Sequence, residues 1–305
     1  MNSRPLIDET VLSVVTQRGN FDFQYHVQDG GSNDGTQERL QFWQEFLKNG
    51  GLPLGCREFK FSYSVQEDRG LYDGLNNGFQ NLEVGNNKPG WMTWINAGDV
   101  LQPGAVELVF QVSRDHPESR WMGGRISLAD SKGCQVEIMN PYPYPSKTLK
   151  ACLHDGRKLP YLQQEGVFWK SGLWNEAGGE LDATLTYAGD FDLWRRFARL
   201  ENYICLNSVL GTFRIHDGQL SKPKENYQEE IDKIILTDGL KDDYLSVWEE
   251  FLTVIKDSPE ELKQRGFVGP VFFFLPEQQR WIQADLFSSP KFLSQFTESL
   301  SDLVK

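Results

Sequence analysis

The segment FDFQYHVQDGGSNDGTQERL, residues 21–40, decides the fold. Phe23, Tyr25 and Val27 alternate with polar neighbours, the period of a short strand. Asp29-Gly30-Gly31-Ser32-Asn33-Asp34-Gly35 then breaks that period with turn formers. Thr36 reads as a helix N-cap, and Arg39, Leu40, Trp43, Phe46 and Leu47 form the face of a helix that stops at Asn49-Gly50-Gly51. This order places Asp29 at the carboxyl end of a strand, where open α/β sheets bind their ligands. A carboxylate there accepts hydrogen bonds from a base or ribose, and the glycines admit close approach. Taken alone, the segment reads equally as a plain strand-to-helix turn.

Working outward, Leu6, Ile7, Val11, Leu12, Val14 and Val15 recur at helical spacing ahead of it, with Pro5 and the acids Asp8 and Glu9 in the first turn. On the other side, 59–65 alternates as a second strand and 70–79 reads as a helix. Trp91 to Ile95 is a uniformly apolar third strand that runs into Asn96-Ala97-Gly98-Asp99, and Pro103 opens the next helix. Strand, turn and helix thus recur three times before residue 115, which predicts βαβ units and a right-handed, mainly parallel sheet. Further on, 121–128 and 134–139 flank a turn and predict a hairpin. A Pro-rich stretch at 141–145 follows, then a strand at 166–169 and a helix at 188–200.

Composition narrows the function. With 305 residues and 39% hydrophobic content, the chain is long enough to bury a sizeable core. A formal net charge of −12 argues against nucleic acid as a partner, because phosphate-backbone binding needs clustered Lys and Arg. An acidic protein that handles a diphosphate is instead expected to recruit a divalent cation. The four cysteines show no ligand spacing and read as reduced thiols of a cytoplasmic protein. The polar N-terminus is unlike a signal or transit peptide, and no apolar run is long enough to span a bilayer. For 267–275, the most apolar stretch, two readings stand: a buried strand or turn, and a monotopic membrane contact.

The segment QDGGSNDGT, residues 28–36, resembles the D-G-S-x-D-G-T motif of the family 2 glycosyltransferases. EDRGLYDGLNNG (67–78), WINAGD (94–99), QEGVFWKSGLW (164–174), YAGDFDLWRRF (187–197) and FRIHDGQLS (213–221) follow in that family's order. The resemblance implies an α/β fold of GT-A, Rossmann-like architecture, covering 1–221, with a mostly helical extension over 222–305. It also implies inverting transfer of a sugar from a nucleotide-diphosphate sugar to an acceptor hydroxyl. The acceptor class it suggests is a surface polysaccharide or a lipid-linked oligosaccharide, with peripheral contact to the membrane.

Site residues follow by the same likeness. Asp29, Asp68, Arg69 and Asp99 are expected along the nucleotide sugar. Asp99 and His216 are expected to hold Mg²⁺ or Mn²⁺, with Gly98 where a second Asp often stands. Asp190 takes the part of the base that deprotonates the acceptor, and Asp192, two residues on, points elsewhere on the helix. Gln164-Glu165 departs from the family's frequent His-Gln. Each of these residues also has a structural reading: Asp99 and Asp190 as helix caps, His216 as a structural His, Asp68 and Arg69 as a solvated charge cluster. The tryptophans read as core, with Trp174, next to a Gly-rich loop, the expected exception. No Q-x-x-R-W follows Asp190, which speaks for addition of a single sugar rather than processive synthesis.

In the resembled family a strand and loop precede the helix that begins at Leu6, and here five residues do. The chain is therefore expected to lack the first, central strand and to leave two rows of backbone groups unpaired, unless another segment fills the gap. The rival readings are a non-catalytic sugar- or protein-binding remnant of the fold, and a sugar-1-phosphate nucleotidyltransferase. The second would want a basic Gly-rich loop, which the sequence does not show.

Overall fold

The structure is a computed structural model that describes residues 2–83, 89–216 and 224–284. The chain runs α1 (Ile7–Val15), β1 (Asp22–Asp29), α2 (Thr36–Lys48), β2 (Glu58–Val65), α3 (Leu71–Gln80), β3 (Trp91–Met92), β4 (Val100–Leu101), α4 (Ala105–Asp115), β5 (Trp121–Ala129) and β6 (Gln135–Ile138). It continues through α5 (Ser146–Lys150), β7 (Val167–Lys170), α6 (Ser171–Glu176), α7 (Gly189–Ala198), β8 (Ile204–Arg214), α8 (Lys224–Thr237), α9 (Lys241–Asp257), β9 (Val271–Leu275) and β10 (Arg280–Ala284). The α/β alternation expected over the first 115 residues is present, and so is the hairpin, as β5–β6. Thr36 is the first helical residue rather than the cap; the cap is Gly35, at φ 94°.

The strands form two separate sheets. β1 and β2 pair in parallel, in register from Asp22↔Glu58 to Asp29↔Val65. The larger sheet runs β10-β9-β8-β5-β7-β3, with β4 on β8 and β6 on β5. Its senses are mixed: β5–β8 and β8–β9 are parallel, whereas β3–β7, β5–β7, β4–β8 and β9–β10 are antiparallel. Among the described residues no strand joins β1 to the larger sheet. The uniformly apolar run at 91–95 is a strand only at its first two residues.

Helix α1 ties the two sheets together. Its buried Ile7, Val11 and Val15 pack with Leu40 and Trp43 of α2 against Tyr25, Val27, Phe59 and Phe61. Its polar side chains grip the loop ahead of β4: Thr10 Oγ1 donates to the Asp99 carbonyl at 2.8 Å and accepts from the Gly98 amide at 2.9 Å. Just beyond the helix, Gln17 Nε2 donates to the Gln102 carbonyl, on the far side of β4, at 3.0 Å.

The main core is a cluster of indoles. Trp94 stacks on Trp194 with ring centroids 5.7 Å apart and planes 9° from parallel, and Trp121, Trp169 and Phe197 close around the pair. Such rings bury large apolar areas and prefer defined packing, so they fix how α7 lies on the sheet. Trp174, the expected exception, is core as well: it is 5% exposed and packs on Phe79 and Trp169. A Gly-rich loop beside a tryptophan says nothing of which way the ring turns, and here it turns inward.

The C-terminal segment is more than a helical extension. β9 extends the larger sheet in parallel from β8, and β10 returns beside it, so residues after 222 complete the sheet. The apolar run 267–275 contains β9, with Phe267, Val271 and Phe272 buried and Phe274 exposed, in line with the buried-strand reading. No helix among the described residues is long and apolar enough to cross a membrane.

Candidate functional site

Asp29 ends β1 and is buried. Both its oxygens are engaged locally: Oδ2 accepts from the Ser32 amide at 2.9 Å and Oδ1 from Ser32 Oγ at 2.5 Å. The carboxylate thereby shapes the turn that carries the glycines. Asp68, beyond the end of β2, lies directly over that turn, since a Cβ on Gly30 would fall 2.4 Å from Asp68 Oδ2. Only a residue without a side chain leaves room for the acid there. Asp68 Oδ1 accepts from the Gly70 amide at 3.1 Å, ahead of α3. The structure therefore brings Asp29 and Asp68 together. Arg69 does not join them: its side chain is 79% exposed and forks onto Asp73 at 2.7 Å, the surface charge pair of a helix start.

Asp99 stands where the loop from β3 meets β4 and is 5% exposed. It does not cap α4, whose cap is Gly104. Its Oδ1 accepts from the Arg214 amide at 3.0 Å. Burial lifts its carboxyl to about 6, against the Arg214 amide, the His216 imidazole and Asn96, which favour the charged form. The ring of His216 lies on Gly98, whose Cβ would be 3.8 Å from Nε2, and the imidazole is near enough to act electrostatically on the Asp99 carboxyl. Gly98 sits at φ +112°, a conformation that an Asp would hold only under strain, which accounts for the missing second carboxylate. Residues 217–221 of the last motif lie outside the described residues.

Glu165 is the carboxyl that the resemblance left without a role. It is 3% exposed, and its Oε2 has no hydrogen-bond partner among the described residues. Burial raises its pKa well above the usual range, and the negative charges of Asp99 and Asp190 push it further. Glu165 thus lies within electrostatic reach of both Asp99 and Asp190. Among the described residues no group of three His, Cys, Asp or Glu has the spacing to hold a metal ion by itself.

Asp190 occupies the first turn of α7, partly buried. Oδ1 accepts from the Phe191 amide at 2.8 Å and from the Tyr227 hydroxyl at 3.1 Å. Burial raises its carboxyl to about 6. It is not the cap of α7, which is Ala188; the amides of Thr186, Tyr187 and Ala188, just ahead of the helix, all donate to Glu230 of α8 at 2.8 Å. Asp192 is spent on structure, paired with Arg195 at 2.6 Å and Arg196 at 2.8 Å. Of the two acids in YAGDFDLWRRF, Asp190 is the one without a cationic partner among the described residues.

Residues 1–133 match the family model described as glycosyl transferase family 2. That stretch is a family 2 glycosyltransferase domain. The relatives point the same way. The chain is 26% identical over 185 residues to an uncharacterized glycosyltransferase of Rickettsia typhi, across 57% of this chain and 54% of that protein. It is 25% identical over 217 residues to one of Rickettsia conorii, across 67% of this chain and 31% of that protein. The match thus spans about half the length of the first relative or less. Among solved structures, S. aureus TarS superposes with a TM-score of 0.53 at 15% identity, over 87% of this chain and 45% of that one. A crystal structure of TarS 1–349 gives 0.52 at 14%, over 86% and 74%. The glycosyltransferase domain therefore has the GT-A fold that its motifs implied.

Sequence reading missed two residues of this site, Tyr227 and Glu230. They lie on a charged helix about forty positions from Asp190, in no motif, and nothing in the local pattern marks them.

Proposed function

We propose that the protein transfers a sugar from a nucleotide-diphosphate sugar to an acceptor hydroxyl with inversion, as part of surface polysaccharide or lipid-linked oligosaccharide synthesis. The observation that carries this reading is Asp190: a carboxylate lifted to about 6, held through Oδ1, with no cation paired to it among the described residues. A base with a pKa just below neutral is charged at working pH and still takes a proton readily. In this reading Asp190 removes the acceptor proton as the oxygen attacks the anomeric carbon opposite the nucleotide. Asp68, over the turn of Asp29, faces the base and ribose, while Arg69 serves at most as a peripheral contact.

The residues fit a divalent cation in part. Asp99 and His216 are adjacent, and the orphaned oxygen of Glu165 belongs to the same acidic group. Asp99 and His216 would hold Mg²⁺ or Mn²⁺, with donor oxygens and water completing the shell. Such an ion would neutralise charge on the departing diphosphate.

Calorimetry with UDP-, GDP- and dTDP-sugars in the presence of Mn²⁺ tests the proposal. Saturable binding of one of them is expected. A folded protein that binds none would favour the non-catalytic remnant instead.

A further inference from the structure

We propose that helix α8 is a working part of the reaction centre, with Tyr227 orienting the Asp190 carboxylate and Glu230 fixing the loop that presents it. The inference rests on the reading of Asp190 as the base. Its own observations are the contacts of α8. The Tyr227 hydroxyl donates to Asp190 Oδ1 at 3.1 Å. One carboxylate of Glu230 gathers three successive amides, those of residues 186, 187 and 188, each at 2.8 Å. Asn226 Nδ2 donates to the Tyr187 hydroxyl at 3.1 Å.

Three consecutive residues of the loop before α7 are thus tied to one turn of α8. The three amides lie just ahead of α7, whose cap Ala188 has no side-chain cap bond, and a distant helix supplies their acceptor. The result is directional. With Oδ1 taken by Phe191 and Tyr227, Oδ2 has no hydrogen-bond partner among the described residues and is the oxygen available to an acceptor hydroxyl. Tyr72 of α3 completes the cradle. Its ring lies where a Cβ on Gly189 would be, 2.7 Å away, and its hydroxyl donates to the Tyr187 carbonyl at 2.6 Å.

The groups that face Asp190 are Tyr72 from α3, Tyr161 and Glu165 from the segment before β7, and Tyr227 and Glu230 from α8. Among them Tyr227 alone donates a side-chain hydrogen bond to the carboxylate. A donor to a carboxylate favours its charged form, so losing it moves the titration upward.

The test is an NMR titration of the protein labelled with ¹³Cγ-aspartate, the Asp190 signal being assigned with Asp190→Asn. In Tyr227→Phe the midpoint of Asp190 is expected to rise by about one pH unit. In Tyr72→Phe, whose hydroxyl serves the backbone, it is expected to stay in place. With a nucleotide sugar that binds, Tyr227→Phe should lower kcat for donor hydrolysis several-fold, shift its acid limb by the same amount and leave the donor KM unchanged. An unmoved midpoint in folded Tyr227→Phe, or an equal shift in Tyr72→Phe, overturns the proposal. A shifted midpoint in a protein that turns over no donor supports the link to α8 and overturns the reading of Asp190 as base.

Discussion

Two acidic ends of this molecule are built in opposite ways. At the end of β1, both oxygens of Asp29 are held by Ser32, and Asp68 is fitted over the neighbouring Gly30. At the start of α7, Asp190 depends on Tyr227, and the loop before it depends on Glu230, both from a helix that follows an intervening strand. The first corner is largely a local construction, the second a tertiary one. A substitution in α8 reaches the Asp190 carboxylate and the loop before it, whereas the Asp29 turn is insulated from α8.

Asp190→Asn should lower sugar transfer or donor hydrolysis by roughly 10²–10⁴-fold, the usual worth of a general base, as read by release of the nucleoside diphosphate. Activity left intact would remove Asp190 from the mechanism. In the native protein, transfer should fall as pH drops through about 6, because the carboxyl must be unprotonated to act.

The same variant should change stability with the opposite sign. The carboxyl is raised from its ordinary 3.8 to about 6, so the folded state holds more protons than the unfolded state between those values, and stability falls as pH rises through that window. Thermal melts at pH 8 should show Asp190→Asn more stable than the native chain by on the order of 1 kcal/mol, and at pH 4 the difference should vanish.

Two further variants sharpen the contrast between the corners. Glu230→Ala leaves three amides without their acceptor and should cost about 2 kcal/mol in chemical denaturation while also lowering activity. Ser32→Ala removes a hydroxyl that bonds Asp29, should cost about 1 kcal/mol, and should leave the Asp190 titration untouched. If Ser32→Ala moved that titration, the insulation of the two corners would be wrong.

The legible parts of the protein were those in which chemistry and neighbours are close in sequence. The strand-turn-helix around Asp29, the loop ending at Asp99 and the acid at the mouth of α7 all show as short patterns, because turn formers, apolar periods and first-turn acids act over a few residues. Arg69 shows the limit of such a pattern, since its own neighbour Asp73 captures it. Trp174 shows another, since its environment comes from α3 and β7.

The sequence by itself determined the α/β alternation, the family likeness and the positions of Asp29, Asp99 and Asp190. Tertiary structure alone decided that β1 and β2 stand as a sheet of their own bridged by α1, that the C-terminal chain extends the larger sheet, and that α8 holds the Asp190 carboxylate. The physical reason is range: periodicity and turn chemistry are set by adjacent residues, whereas strand partners, burial and the donors to a buried carboxylate are chosen by packing between segments far apart in the chain.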